Sequence, residues 1–309
     1  MAFESPCCTP ALSAGLAGPL SLGVGPHIGV SVDYNSYLLY AHGNKMLKGY
    51  TLPRTPRGTS SLAPTPPWHY VGNAVAVEFE ANPVSAEAFL PEGLTLHSGR
   101  CTAYFIEWQY VSDTGAEYLD PITSQYRETI ILLSASFDGL PVAYCPFIWV
   151  DQDVSLMRGL VQGWPKQIGS TWITRAYDLP SKAAPVIGPG GKFGATLAVK
   201  DRRLIEAQVT LRALSETLPS PSFARAVNVR YFPELVAGKH DLPVVHELVQ
   251  LKSRDVQISP IWKGDASMQV FEHPYLELHD LRPTAVIAGY RFSFALTVDD
   301  LLPLRDLRT

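Results

Sequence analysis

Two apolar runs joined by Asp138-Gly139 constrain the fold of this chain more than any other feature. Residues 126–137 and 140–150 are rich in β-branched and aromatic side chains, and only the Asp-Gly pair separates them. An Asp-Gly pair readily adopts the left-handed backbone that a two-residue hairpin turn needs. The sequence therefore predicts an antiparallel β-hairpin over these two runs.

Strand patterns extend along most of the remaining chain. They cover residues 75–81, 101–111, 168–176, 192–200, 203–213, 225–231, 244–252, 254–262, 266–271 and 284–298. Helical spacing appears at 83–93, where Ser85 is the predicted N-cap, and at 154–164, which should stop at Gly163 and Pro165. About ten strands, a few short helices and no internal repeat predict a mainly β fold. We expect a single-domain antiparallel β-barrel or sandwich, which is large enough to enclose a ligand.

Residues 1–45 differ in composition from the rest of the chain. They are small and Gly-rich, with no Lys or Arg before Lys45. Met46 is then followed by a Pro-rich stretch. This pattern is typical of a translation start at Met46 and an extended arm after it. We interpret residues 1–45 as a flexible N-terminal extension, either genuine or an over-called start, and residues 46–309 as one folded domain.

Charge, hydropathy and cysteine content argue against several classes of protein. Charged residues make up 17% of the chain, the net charge is −4 and no basic cluster occurs, which disfavours a nucleic-acid partner. No apolar run approaches the roughly 18 residues of a membrane-spanning helix. The four cysteines lack CxxC spacing and the eight histidines lack HxxxH spacing, so we expect no metal site. A reduced, cytoplasmic protein fits this pattern best.

Lys166 is the residue that most suggests chemistry. It stands in the segment GWPKQIG, and no other charged residue lies between Arg158 and Arg175. Beside Trp164 and Pro165, at a helix-to-strand corner, its amine should be poorly hydrated, which lowers the pKa of a lysine. An unprotonated amine attacks ketones to form a Schiff base. The alternative from the local sequence is a lysine whose ammonium reaches solvent from an apolar corner.

The segments PPWHYVGNAVAVEFEANP, QYRETIILLSASFDGLPVAYCPFIWVD and above all GWPKQIG resemble the acetoacetate decarboxylase superfamily. The resemblance spans about residues 47–305 and is strongest at Pro165-Lys166. It implies the β fold of that family, a catalytic domain over residues 46–309 and a homo-oligomer. Acetoacetate decarboxylase is itself a standard example of a lysine activated by desolvation or by a nearby cation.

The resemblance also implies roles for individual residues. Lys166 matches the Schiff-base lysine, and Glu128 matches its acidic partner. Glu107 matches a second acidic residue of the substrate pocket. Imine formation and enamine protonation need proton transfer beside the amine, which a carboxyl group can perform. Ile130 and Leu132 share the strand face of Glu128, so we expect that face to be buried.

Two departures from the familiar decarboxylases remove positive charge. Gln167 stands where they have a second lysine, and Gly72-Asn73 stands where they have an arginine. Arg158 could then hold a substrate carboxylate. Three further residues are predicted to bind substrate: Gln162, Trp164 and Tyr290. Ordinary packing explains each of these residues equally well.

We therefore interpret the chain as a Schiff-base-forming lyase that acts on a small oxo acid. Aldolase-dehydratase activity, which joins a 2-oxo acid to an aldehyde co-substrate, is favoured over decarboxylation of acetoacetate or another 3-oxo acid. The imine itself serves as the electron sink, so we expect no cofactor. The alternative from another class is a non-catalytic β-barrel that binds an apolar ligand, with Lys166 anchoring a carboxylate.

Overall fold

The structure is a computed structural model that describes residues 46–308, and the predicted extension over residues 1–45 lies outside the described residues. The described part is mainly β, as predicted, with few and short helices. Its twelve strands are β1 (Trp68–Glu80), β2 (Thr95–Ser112), β3 (Gln125–Phe137), β4 (Leu140–Val150), β5 (Lys166–Ile168), β6 (Ser170–Ile173), β7 (Lys192–Val199), β8 (Arg202–Ser215), β9 (Ala226–Pro233), β10 (Pro243–Ile258), β11 (Ile261–Val270) and β12 (Ala285–Asp306).

The α-helices in this part of the chain are α1 (Pro83–Ala88), α2 (Pro121–Ser124) and α3 (Asp153–Gln162). Single 3-10 turns occupy Ala116–Leu119, Phe223–Arg225 and Glu277–Leu281. Among the helices described, none has the length and hydropathy needed to cross a membrane.

The predicted hairpin between β3 and β4 is confirmed. Phe137 pairs with Leu140, and the two residues between them have positive φ angles of 49° at Asp138 and 79° at Gly139. Positive φ at both positions is what a type I′ turn requires, and this turn suits the right-handed twist of the strands it joins.

Seven of the strands form a barrel-like ring. Hydrogen-bonded neighbours run β1-β2-β3-β4-β9-β10-β12, and β12 also pairs with β1. The sheet is mixed rather than wholly antiparallel, because β4 pairs in parallel with β5 and, over two residue pairs, with β9. Near Tyr290, β12 also pairs with β11, from which β8, β7 and β6 continue as a second layer.

Because the second layer covers the ring, strand β1 is buried on both faces. From Ala74 to Phe79 every residue is buried, so β1 lacks the alternation of buried and exposed positions that a one-sided sheet shows. Alternate side chains serve different cores. The inner core, inside the ring, includes Ala74, Ala76, Tyr104, Ile106, Trp108, Ile130 and Phe292. The outer core, beneath the second layer, includes Val75, Val77, Phe105, Trp149, Phe193, Leu197 and Ile205.

Two of the predicted strand boundaries are wrong. The strands expected at 244–252 and 254–262 are one strand, β10, which runs to Ile258 before β11 begins at Ile261. Asp255 has a φ of 53° and interrupts the register between β10 and β12 without ending the strand, as a β-bulge does. The strand expected at 168–176 is divided at Gly169, where β5 ends its pairing with β4 and β6 begins to pair with β7.

Helix α1 begins earlier than its predicted N-cap. The cap is Asn82 rather than Ser85, because the Asn82 side chain accepts hydrogen bonds from the backbone N–H groups of Val84 and Ser85 at 2.9 and 3.3 Å. Pro83 then occupies the first helical position, where its lack of an N–H costs nothing.

We predict that a shortened chain beginning at Met46 folds as the full chain does, since every strand of the ring and of the second layer lies between Trp68 and Asp306. Circular dichroism and thermal melting should give the same spectrum and a midpoint within a few degrees of the full chain. A shortened chain that aggregates, or that melts much earlier, would show that residues 1–45 contribute to folding.

Candidate active site

An apolar cavity of about 170 Å³ lies within the inner core. Its walls come from strands β1 to β5, β10 and β12 and from the end of α3. The lining residues are mostly aromatic or aliphatic, and they include Tyr70, Tyr104, Trp108, Tyr126, Glu128, Ile130, Ile148, Gln162, Trp164, Lys166, Phe223, Phe292 and Phe294. Within this lining, Lys166 and Glu128 are the charged residues, so their electrostatic interaction is screened very little.

Lys166 reaches this cavity because helix α3 ends just before it. Gly163 caps the helix with a φ of 86°, and the backbone N–H of Trp164 returns to the carbonyl of Gly159 at 2.9 Å. The chain then enters β5, where Lys166 pairs with Ile148 of β4. The side chain of Lys166 is only 8% exposed, as the sequence suggested for this corner.

Lys166 and Glu128 form a buried ion pair. The Nζ atom of Lys166 lies 2.6 Å from Oε2 of Glu128, and it donates a hydrogen bond to Oγ of Ser155 at 2.9 Å. Burial lowers the pKa of Lys166 below its ordinary value, although the neighbouring Glu128 carboxylate acts in the opposite direction. The sequence placed these two residues together, and their catalytic roles stay predictions.

Glu128 is held from its other side by Trp108. Nε1 of Trp108 donates a hydrogen bond to Oε1 of Glu128 at 2.9 Å, so the carboxylate is fixed between an indole and an amine. Trp108 also packs against the ring of Tyr126, with 6.4 Å between ring centroids. The sequence reasoning missed Trp108, since its contact with Glu128 crosses between β2 and β3.

Two glycines make room for this arrangement. A Cβ atom on Gly159 would lie 2.2 Å from Cδ of Lys166, and a Cβ atom on Gly72 would lie 2.6 Å from the indole of Trp108. Ser155, Gly159 and Gln162 are spaced to share one face of α3, and that face meets the lysine. The small residues Ser155 and Gly159, four apart in the helix before GWPK, were a usable signal that the sequence reasoning overlooked.

Gln162 and Trp164 both line the cavity, where the sequence reasoning expected them. Each is 7% exposed. Gln162 is the last residue of α3, so its amide is presented at the cavity wall beside the lysine. Their roles in substrate binding stay predictions.

Arg158 is fully buried but does not line the cavity. Its side chain extends from α3 behind Tyr70 and Tyr126, which do line it, and its Cζ atom lies 3.5 Å from the ring centroid of Tyr110. Neither Nη1 nor Nη2 has a hydrogen-bond partner within residues 46–308. In this arrangement the tyrosine rings separate Arg158 from a substrate in the cavity.

Glu107 lies outside the cavity, contrary to the expectation that it is a pocket residue. Its Oε1 accepts a hydrogen bond from Nε of Arg175 at 3.0 Å, in a polar cleft on the outer face of β2. Consecutive residues of a strand point to opposite faces, and the cavity takes Trp108 from this part of β2. Glu107 is therefore directed away from Lys166.

Tyr290 is also placed elsewhere. It belongs to the inner core, but its hydroxyl donates a hydrogen bond to Oε2 of the buried Glu78 at 2.7 Å. Burial, and then this bond, raise the pKa of Tyr290. The residues of this strand that line the cavity begin at Phe292, two positions along the same face, and continue with Phe294, Leu296 and Val298. Tyr290 is therefore engaged with Glu78 and not with the Lys166 cavity.

No group of three or more His, Cys, Asp and Glu side chains within residues 46–308 is arranged to hold a metal ion. Cys101 and Cys145, the cysteines in this part of the chain, are buried and are not joined by a disulfide.

Comparison with protein-family models matches residues 51–307 to the acetoacetate decarboxylase family. Comparison with curated proteins found no match. Among solved structures, the chain is 37% identical to MppR, an enduracididine biosynthesis enzyme complexed with the condensation product of pyruvate and imidazole 4-carboxaldehyde. This match has a TM-score of 0.80 and covers 86% of the chain and 99% of MppR. MppR complexed with pyruvate matches with a TM-score of 0.79, 37% identity and coverage of 84% and 99%.

A more distant match shares the fold. It is an acetoacetate decarboxylase-like enzyme from Sphingomonas wittichii RW1, with 24% identity and a TM-score of 0.78. The match covers 84% of the chain and all of that enzyme.

We predict that Gly159→Ala removes the reactivity of Lys166 while the protein stays folded. Alanine favours the helix by about 1 kcal/mol over glycine, so the free energy of unfolding should not fall through the helix itself. The added methyl group would displace the lysine stem, and a displacement of about 1 Å can reduce rates about 100-fold. Reductive trapping of the lysine and thermal melting measure the two effects separately.

Gly188→Ala is the matched control, because nothing lies within 4 Å of a Cβ atom at that position. Normal trapping in the Gly159→Ala variant would show that Lys166 does not depend on this space.

Proposed function

This chain belongs to the acetoacetate decarboxylase family, and from that premise we propose that it is a lyase that forms a Schiff base between Lys166 and the carbonyl carbon of a small oxo acid. The observation that carries the proposal is the buried ion pair of Lys166 and Glu128, 2.6 Å apart in an apolar cavity. An amine whose pKa is lowered by burial is present unprotonated more often, and the unprotonated form is the nucleophile.

The contacts of the pair suit the proton transfers of this chemistry. The amine attacks the carbonyl carbon to form a carbinolamine, which loses water to give the imine. Glu128 can take the proton that the amine releases and return it to the departing hydroxyl group. Trp108 and Ser155 hold the two partners in position from opposite sides, at 2.9 Å each.

The imine then acts as the electron sink for bond making at the neighbouring carbon. Loss of a proton from the methyl group of a bound 2-oxo acid gives an enamine, and the enamine carbon adds to the carbonyl of an aldehyde. Loss of water from that adduct yields a conjugated product, and hydrolysis of the imine releases it and restores the lysine. We assign the proton transfers of these steps to Glu128, because its carboxyl group lies 2.6 Å from the amine, and we assign the orientation of the aldehyde to Gln162.

Condensation of a 2-oxo acid with an aldehyde is the reaction we favour. MppR, at 37% identity, has been solved with pyruvate and with the condensation product of pyruvate and an aldehyde. The sequence supports the same choice, because Gln167 and Gly72-Asn73 stand where familiar decarboxylases carry a lysine and an arginine. Gly72 instead leaves the space that Trp108 occupies beside Glu128.

Decarboxylation of a 3-oxo acid is the second candidate, because it begins from the same imine. The apolar cavity favours it, since an environment that holds the leaving carboxylate weakly does not stabilise the ground state.

We predict that borohydride reduction in the presence of pyruvate adds the mass of the reduced pyruvate imine to Lys166. Peptide mass spectrometry locates the adduct. Lys166→Ala should abolish both the adduct and turnover, while Lys252→Ala, which removes an exposed amine from β10, should leave both unchanged.

An adduct that persists at the same rate in the Lys166→Ala variant would assign the chemistry to another lysine. Reversible binding without any reducible adduct would instead favour a ligand-binding barrel.

We also predict that pyruvate with an unsaturated aromatic aldehyde, such as cinnamaldehyde, yields a conjugated product that absorbs at long wavelength, and that acetoacetate releases CO2 more slowly. The Lys166→Ala variant measures the uncatalysed background of each reaction. Rapid CO2 release from acetoacetate, with no condensation product from any aldehyde tried, would reverse the order of the two candidates.

A further inference from the structure

The wall of the cavity opposite Glu128 is almost wholly apolar. The path around the ring from β3 passes β4 and β9 to reach β10 in one direction, and it passes β2 and β1 to reach β12 in the other. Strands β10 and β12 therefore lie across the ring from Glu128. Val256 and Ile258 of β10 and Phe294 of β12 line the cavity there, together with Phe223 from the 3-10 turn before β9. We call these four residues the apolar wall.

Polar groups are scarce on this side of the cavity. The hydroxyl groups of Ser222 and Ser253 are the polar side-chain groups that β10, β12 and the segment before β9 contribute to the lining. The charged residues of the lining, Lys166 and Glu128, are paired with each other on the opposite side. A charged substituent placed against the apolar wall would lose its hydration without gaining a partner, which is costly. The wall therefore suits an apolar substituent.

The cavity opens to the surface on the β10 side of the apolar wall. Val256 and Ile258 line the cavity, and yet they are 58% and 42% exposed. Phe223 is half-buried, and its ring centroid lies 4.5 Å from that of Tyr104, which fixes the other side of the opening. An apolar chain that starts inside the cavity can continue outward past Val256 and Ile258. Its length is therefore not limited by the cavity volume of about 170 Å³.

The β-bulge of β10 makes this opening apolar. Between Arg254 and Gln257, β10 has one residue more than the facing segment of β12. The extra residue inverts the alternation of the strand, so that Val256 and Ile258 face the cavity. Without it, the alternation would direct Asp255 and Gln257 into the cavity. Asp255 pairs instead with Arg254.

We propose that the apolar wall is a subsite for a long apolar chain carried by the aldehyde, and that this chain leaves the cavity past Val256 and Ile258. The inference rests on the proposed function, in which Lys166 holds a small oxo acid as its imine. The enamine carbon then bonds to the aldehyde carbon between the lysine and the wall. The aldehyde oxygen departs as water, and the product is a 2-oxo-3-alkenoic acid whose chain lies along the wall.

The test is the dependence of kcat/KM on aldehyde length, with pyruvate as the oxo acid and straight-chain aldehydes from acetaldehyde to decanal. Liquid chromatography with mass spectrometry measures the alkenoic acid product. Each added methylene group that is buried against the wall should raise kcat/KM about fourfold. The increase should stop once the chain has passed Val256 and Ile258, because further methylene groups remain in solvent.

Val256→Asp places a charge in the opening. It should lower kcat/KM for octanal about tenfold and flatten the dependence on chain length, since a half-exposed valine contributes part of its full burial energy. Gln257→Asp is the matched control. It adds the same charge at the next residue, which is exposed and points to the opposite face of β10, so the length dependence should not change.

Thermal melting checks that the variants are folded, and Val256→Thr, which keeps the shape of valine, replaces Val256→Asp if the latter is not. A kcat/KM that does not rise with chain length in the unmodified protein would overturn the proposal. So would an equal loss for acetaldehyde and octanal in the Val256 variant, which indicates a structural role, or an equal loss in the Gln257→Asp control.

Borohydride trapping in the same samples separates this inference from the Schiff base itself. Trapping of pyruvate on Lys166 without turnover of any aldehyde would overturn the aldehyde subsite and leave the Schiff base intact. Length-dependent turnover without a trapped adduct would support the subsite and contradict the Schiff base. A length dependence found for trapped 2-oxo acids, from pyruvate to 2-oxooctanoate, but not for aldehydes would place the chain on the oxo acid and overturn the assignment.

Discussion

A carboxylate and an amine that are 4% and 8% exposed face each other across 2.6 Å, and the surroundings of the cavity are arranged to keep them there. An ion pair with so little water depends on further hydrogen bonds to offset its lost hydration. The indole of Trp108 supplies one to Glu128, and the hydroxyl of Ser155 accepts one from Lys166. Strands β2, β3 and β5 and helix α3 must therefore keep their relative positions for the ion pair of Lys166 and Glu128 to form.

Local signals predicted the parts of the fold that local chemistry determines. The turn at Asp138-Gly139 needs a left-handed backbone at two successive residues, and the end of α3 needs it at Gly163, so both could be recognised from residue type. The continuity of β10 could not be recognised from residue type. Its bulge at Asp255 is held by pairing with β12, which starts 30 residues further on. The N-cap of α1 was missed by three residues because Asn82 and Ser85 are both good caps.

The candidate site likewise contains some residues that the sequence predicted and others that only the folded structure reveals. The family resemblance and the isolation of Lys166 in GWPKQIG led to Lys166 and Glu128, which the structure brings together. The family resemblance pointed to Glu107. Strand periodicity does not reveal which face of β2 meets the cavity, so the sequence could not show that its neighbour Trp108 lines the cavity instead. Tyr290 lies in the inner core, but a buried acid on β1 accepts the hydrogen bond of its hydroxyl, and no pattern within β12 predicts that partner. The clearance at Gly159 is likewise visible only after the chain has folded.

The strands that line the cavity present their other face to a second core, and this has a consequence for how such an enzyme changes over evolution. Ile148 faces the cavity and pairs with the backbone of Lys166, while the next residue, Trp149, packs in the outer core. If the side chain at Trp149 changes in volume, strand β4 must therefore shift to keep the outer core packed, and β4 is also the strand that pairs with the backbone of Lys166. Selection for a new substrate can act through positions that never contact it, and lineages with identical cavity linings can diverge in what they accept.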